Sequence, residues 1–512
     1  MTRTICCASF VLICYLSTSA QITFQKILAD TGPQLNKPVR HSYCINTTND
    51  GGYIMGVNTT PTCLGHATII KADANGDTIW TRTFDFNGTE NVYSIEQTTD
   101  GGYIVGITDG TIRAIKIDAT GNLIWSKQYD LGSSGNITVH QTSDGGYIIG
   151  CGTSLGAGMG DGRLIKTTAT GDTLWARTYG GTQSDDFKTA IQTSDGGYIA
   201  VGRTRSFAVG GGIMDGYVVK TNSTGDTLWT RVYGTPSTDD IRCVLQTNGG
   251  YVFAGTRDFK IILFKTSPTG NILWTRQFTD SSGNADYSLA LASAPDGGFA
   301  ITGSSMNSGN GMDVFLLKTD TAGNYQWSKF YGGLGIDHGY SLQSTQDGGY
   351  IISGSYYGPQ GCNAPEAGAY LIKVDASGTS PCKSSAANFI QSSFSFMIGQ
   401  GAIVGRGGVV NTAIPIVSYT YFEDSTFCFF VGENELNNIY DFINVYPNPS
   451  NGKFIIEAKG DLIIYNLLGE IIISQRIVSD KTEIDLRGEA KGIYFILVNS
   501  GKGIVTKRIV IQ

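Results

Sequence analysis

Seven times the chain writes Asp or Asn, then Gly-Gly, then an aromatic residue. The copies begin at Asp50, Asp100, Asp144, Asp195, Asn248, Asp296 and Asp347. They recur about every 50 residues, the span of one supersecondary unit that can bury its apolar face only against a neighbour. The unit starting near Asp185 is the clearest. Residues 185–193 alternate apolar and polar side chains and read as a strand A. Asp195-Gly196-Gly197 forms a tight turn, and 198–202 reads as strand B. After a longer loop over 203–214 come strand C at 215–221 and strand D at 226–233, separated by a turn at 222–225. Four short antiparallel strands per unit, repeated seven times, predict an all-β chain built as a seven-bladed β-propeller.

The second hairpin is as regular as the first. Lys71, Lys116, Lys166, Lys220, Lys265, Lys318 and Lys373 are each followed five residues later by a glycine, from Gly76 to Gly378. Strand D carries Trp80, Trp125, Trp175, Trp229, Trp274 and Trp327, which are all six tryptophans of the chain. Seven sets of strands A to C are therefore matched by six Trp-bearing D strands. Phe24-Gln25-Lys26 mirrors the Trp-x-Arg/Lys pattern at the front of the chain. That predicts an N-terminal strand closing the last blade beside 369–375 and removing the open sheet edges. The unit shares its general plan with kelch and Asp-box propellers, but Asp73, Gly76 and Trp80 are spaced too widely for an Asp-box. Sialidase chemistry is therefore not carried over.

The ends of the chain speak of transport. Arg3, the apolar run 5–16, and Thr18 and Ala20 at the −3 and −1 positions read as a signal peptide over 1–20. No later run is long and apolar enough for a membrane helix. A net charge of −7 argues against a nucleic-acid surface. Only 15% of residues are charged and 69 are glycine, which suits a turn-rich exported protein. The repeat region is expected over 21–378, with an irregular linker over 379–436.

From about Asn437 a different pattern begins. Tyr446-Pro447-Asn448-Pro449 is followed by Gly452, Tyr465-Asn466-Leu467-Leu468-Gly469, Ile484-Asp485-Leu486, Gly492-Ile493-Tyr494 and a terminal Lys507-Arg508-Ile509-Val510-Ile511. Short alternating strands between turn residues predict a small Ig-like β-sandwich. In their order these motifs resemble the type A C-terminal sorting domain of the type IX secretion system. The resemblance implies recognition of 437–512 by that machinery at the outer membrane. It also implies removal of the tail, with release or attachment to surface lipopolysaccharide. By this reading the sandwich is an address and the propeller is cargo, extracellular or at the cell surface.

Candidate sites follow from the loops. The D-to-A and B-to-C connections are long and variable, and they share one face, where binding on a rigid scaffold concentrates. An acidic residue recurs at the start of strand A: Glu90, Asp185, Asp239, Asp286 and Asp337. Such a ring would attract Ca²⁺ or a cationic group; alternatively each carboxylate ties down a neighbouring loop. No other cofactor is expected. Asp161, Asp215 and Asp313 open strand C in the same way, and there turn capping is the competing reading. The tryptophan row reads as packing between blades. Cys63 and Cys362 fall in loops that ring closure makes neighbours, and Cys382 with Cys428 is a second candidate disulfide. Cys44, Cys151 and Cys243 lie in strands and read as buried thiols. His41, His66, His140 and His338 are not at metal-ligand spacing in the sequence.

No nucleophile elbow, P-loop or dinucleotide fingerprint is present in a suitable context. The expectation is a non-catalytic binding protein for a glycan or a protein partner. The alternative is a polysaccharide hydrolase or lyase using acidic residues of the loop face.

Overall fold

The computed structural model describes residues 21–29, 39–59, 65–86, 88–131, 133–154, 160–211, 213–280, 286–307, 311–332, 335–357, 367–380, 384–387, 389–400, 403–406, 411–412, 416–418, 423–426, 444–447, 449–457, 459–466, 471–479, 481–499 and 504–511. The signal peptide expected over 1–20 lies outside them, as do Cys63, Cys362, Cys382 and Cys428.

Seven sheets form the repeat region; six are laid down A-B-C-D in chain order, and in the seventh strand D comes from the N-terminal end. In blade four the strands are Asp185–Gln192, Tyr198–Thr204, Asp215–Thr221 and Thr227–Gly234. Gly196 and Gly225 take φ of 79° in the two hairpins, where a side chain would be strained. Strands B and C are buried along almost their whole length, so they read as continuous apolar runs.

What joins one blade to the next is an aromatic clasp. The strand-D tryptophan packs edge-on against the first aromatic of the next blade's strand B. The pairs are Trp80 with Tyr103, Trp125 with Tyr147 and Trp175 with Tyr198, with ring centroids 5.6–6.0 Å apart. The same indole covers the glycine of the next C-to-D turn. A Cβ on Gly225 would stand 2.8 Å from Trp175, so no larger residue fits there. Four residues after each of four tryptophans a tyrosine hydroxyl donates to that glycine's carbonyl. Tyr129 bonds Gly171 at 2.9 Å, Tyr233 bonds Gly270 at 2.6 Å and Tyr331 bonds Gly378 at 2.6 Å, and Tyr179 bonds Gly225 likewise.

Phe24 supplies the seventh clasp. Its strand, Phe24–Ala29, pairs with Ala367–Val374 in the register Phe24 to Lys373. Its ring meets Tyr53 at 6.1 Å and covers Gly76, as a tryptophan does in the other blades.

The stretch expected as an irregular linker over 379–436 contributes seven short strands, the first at Ser384–Ala386 and the last at Glu423–Thr426. It adds a fifth strand outside strand D of every blade, running backwards around the ring. Ser384–Ala386 joins blade six, Phe389–Ser392 blade five, Met397–Gly399 blade four and Ile403–Arg406 blade three. Asn411–Thr412, Ile416–Ser418 and Glu423–Thr426 then join blades two, one and seven. The physical reason is edge protection: strand D would otherwise offer unpaired N–H and C=O groups to other chains. At the seam the N-terminal strand thereby becomes an interior strand, paired on both sides.

The second compact unit, 431–512, is a sandwich of a three-stranded and a four-stranded sheet. Phe454, Ile456, Leu462, Ile464, Ile484 and Ile496 form its core.

Truncating the closing aromatic should cost as much as losing any clasp. Phe24→Ala is expected to lower stability by about 3–5 kcal/mol in urea titration. Exposed Ile22→Ala should stay within about 0.5 kcal/mol of wild type.

Candidate functional site

The seven A strands line the ring axis and enclose a cavity of about 710 Å³. In six blades strand A breaks register with strand B at one corresponding place, and one extra residue bulges out. The bulged residues are Tyr43, Tyr93, Lys188, Arg242, Leu289 and Tyr340. A β-bulge re-aims a side chain that the pleat would otherwise send elsewhere, and all six line the cavity, half-buried. Blade three has no break here: its register runs on from Ile137 to Gln141, and Ile137 is buried in the core.

These residues differ from blade to blade, so a periodic scaffold carries an uneven lining. Blades seven, one and two make an aromatic arc. Tyr43 stacks on Tyr93 at 4.9 Å and meets Tyr340 edge-on at 4.8 Å; His41 stacks on Tyr43 at 5.4 Å. Burial first, then the neighbouring phenols, pushes the pKa of Tyr43 well above the usual range, so these rings are neutral hydrogen-bond donors.

Blades four and five face them with Lys188 and Arg242. Lys188 pairs with Asp186 at 3.1 Å, which also pairs with Arg203 at 3.0 Å, and Arg242 pairs with Asp240 at 2.9 Å. Of these groups only Lys188 and Arg242 line the cavity, so the cations rather than their carboxylate partners face it. Between the arcs His140 contacts Glu96 at 2.6 Å. Burial depresses the imidazole's pKa, but the Glu96 carboxylate more than reverses that and raises it.

The acidic residues singled out in the sequence are elsewhere. Glu90, Asp185, Asp239 and Asp337 are buried, and each holds loop backbone. Glu90 accepts from Phe86 and Gly88, Asp239 from Thr235, and Asp337 from Tyr357. Asp185 accepts from Gly181, Arg205 and Ser206. Asp286 opens its strand A as expected; its side chain lies outside the described residues.

The two acidic series, read separately in the sequence, come together at the D-to-A corners. Asp161 and Asp185 both reach within 2.8 Å of where a Cβ on Gly180 would stand, and Asp313 and Asp337 within 2.6 Å of one on Gly332. Small glycines at 180, 234 and 332 make room for the carboxylates. Burial pushes Asp215 up to about 6. Burial, reinforced by Asp215, pushes Asp239 up to about 7 despite its bonds from Thr235.

Sequence reasoning missed two arrangements. The repeat Lys and the turn Asp are partners: Lys71 reaches Asp50 at 2.9 Å, Lys116 reaches Asp100 at 3.0 Å and Lys220 reaches Asp195 at 2.9 Å. Burial raises Asp50, Asp144 and Asp195, but bonds from a Thr hydroxyl, the Lys and a Gly N–H outweigh it and hold each at about 2. The second is His66. Chain spacing hid its place beside Asp85 and Glu90, and the three offer ligand atoms all within 4.8 Å of one another. Cys44 and Cys151 are buried thiols outside any disulfide, and Cys243 is a half-buried one.

Residues 444–512 match the secretion system C-terminal sorting domain family. The chain is a type IX sorting-domain protein, exported for attachment to the cell surface or for secretion. No curated protein matches it. Among solved structures it is similar to PorZ, a surface component of the type IX secretion system of Porphyromonas gingivalis. That match has 10% identity and a TM-score of 0.25, covering 92% of this chain and 81% of that one. It is also similar to Sqt1 from Chaetomium thermophilum (12% identity, TM-score 0.39, covering 64% and 83%). A third match is a protein of unknown function from Dyadobacter fermentans (8% identity, TM-score 0.38, covering 68% and 97%). At these scores none of them assigns an activity.

The two classes of carboxylate set a pH optimum. Groups raised in the fold contribute stability below the ordinary value near 4 and lose it as pH rises through 6 to 7. Groups lowered to about 2 contribute above 4 and lose it as pH falls through 2. Urea midpoints should therefore peak near pH 4–5 and fall towards pH 8. Asp239→Asn should flatten the alkaline limb; an unchanged limb would remove Asp239 as its cause.

Proposed function

We propose that the propeller is a non-catalytic binding protein that takes a glycan in the axial cavity once the sorting domain has delivered it outside the cell. One observation carries this reading: six bulges turn blade-specific side chains into the cavity while the rest of the repeat is uniform. Tyrosine faces stack on the apolar faces of sugar rings, and their hydroxyls bond sugar oxygens. The opposite arc, with Lys188 and Arg242, suits a sugar bearing a carboxylate or sulfate. A cavity of about 710 Å³ is in the range of small-ligand sites.

The described lining offers Tyr, His, Lys and Arg and no Asp or Glu. The carboxyls raised towards neutrality, Asp215 and Asp239, are buried in the D-to-A corner instead. Hydrolysis by a carboxylate pair needs both groups flanking the bond, so the geometry supports binding over cleavage.

The test is a glycan array run on residues 21–512 together with a reducing-end assay. Expected is binding of acidic glycans without new chain ends. Tyr43→Ala and Tyr93→Ala should each weaken it about 3–10-fold, equivalent to about 0.5–1.5 kcal/mol. New reducing ends would select the hydrolase reading, and capture of a protein with no glycan bound would replace the ligand class.

A further inference from the structure

We propose that His66, Asp85 and Glu90 form a binding site for one first-row divalent ion of the Zn²⁺ or Mn²⁺ type, stapling blade one to blade two. His66 opens strand C of blade one (His66–Ala72), Asp85 ends its strand D (Thr78–Asp85), and Glu90 precedes strand A of blade two (Asn91–Gln97). The main chain already brings the corner together, since Glu90 N–H donates to Gly65 C=O at 2.9 Å.

The repeat shows how the cluster arose. The places of His66 and Glu90 are held by Asp161 and Asp185 between blades three and four, and by Asp215 and Asp239 between blades four and five. The place of Asp85 is held there by Gly180 and Gly234, where a side chain would strike Asp161 or Asp215. Among the described corners, this one places an imidazole where those two have a strand-C acid, and it adds a carboxylate on strand D where they have glycine. A two-carboxylate corner has become one nitrogen and two carboxylates, a ligand set suited to Zn²⁺ or Mn²⁺.

The distances separate an ion site from a plain ion pair. His66 Nδ1 lies 3.4 Å from Glu90 Oε2 and 3.8 Å from Asp85 Oδ1. A charged imidazole–carboxylate hydrogen bond closes to about 2.7–2.9 Å, and His140 with Glu96 does so in this same chain at 2.6 Å. Ligands about 2.0–2.2 Å from a tetrahedral ion stand about 3.3–3.6 Å apart; the His66–Glu90 separation of 3.4 Å falls in that range, and the His66–Asp85 separation of 3.8 Å is slightly longer.

A second observation points the same way. Glu90 is fully buried; its Oε1 takes the N–H groups of Phe86 and Gly88, while Oε2 faces His66 with no hydrogen-bond partner. His66 Nδ1 also has no hydrogen-bond partner. Leaving such groups unsatisfied in the interior is costly, and an ion would satisfy both. Three protein ligands leave a coordination position for water or a bound molecule. Tyr93 of the cavity lies three residues beyond Glu90.

The experiment is calorimetric titration of chelator-treated 21–512 with ZnCl₂, MnCl₂ and CaCl₂ separately. Expected is one Zn²⁺ or Mn²⁺ per chain, with Ca²⁺ weaker because imidazole is a poor ligand for it. His66→Gln and Asp85→Asn should each weaken uptake more than tenfold while leaving the metal-free melting temperature within a few degrees. The melting temperature should rise with metal in the wild type only. Co²⁺ should give visible absorption bands that His66→Gln abolishes. Absence of saturable uptake, preference for Ca²⁺, or uptake unaltered by both substitutions would overturn the site.

Discussion

The structure depends on the aromatic clasp between neighbouring blades. An isolated four-stranded sheet of this size cannot bury both its faces. Each blade therefore gains its core from the next, through an indole laid over a glycine turn and against a strand-B aromatic. Because the ring must close, the clasp must also operate where the chain begins and ends. Phe24 does this, held in a strand that pairs with blade seven on one side and with the encircling segment on the other.

Repetition of the clasp frees the axis. With packing secured at the C-to-D turns and strand D, the innermost strand can vary, and six bulges exploit that freedom. The outcome is a uniform frame around an uneven lining, aromatic on one side and cationic on the other. The D-to-A corners vary under a different constraint. Three of them bury paired carboxylates, and their glycines exist to admit them, while the first corner departs towards imidazole.

Much of the frame was legible because tight turns and tryptophans mark themselves in the chain. Asp195-Gly196-Gly197 and the Lys220-to-Gly225 spacing located two hairpins, and Phe24-Gln25-Lys26 gave away the closing strand by analogy with Trp229. The encircling strands were not legible: two to four residues are too few for an alternating pattern, as Asn411–Thr412 shows. Bulges leave no compositional trace either, so Lys188 and Arg242 read as ordinary polar positions of strand A. The Lys71–Asp50 and His66–Glu90 contacts join residues about 20 apart, through a register that only folding supplies. The recurrent acids were found, but periodicity cannot tell a buried carboxylate from an exposed one.

Closure of the seven blades by the N-terminal strand can be read from native-state hydrogen exchange on residues 21–512. Amides in Phe24–Ala29 should exchange as slowly as those of Thr227–Gly234, because both are interior strands paired on two sides. Exchange of Phe24–Ala29 at the rate of a frayed terminus would contradict closure and with it the sealed ring around the axial cavity.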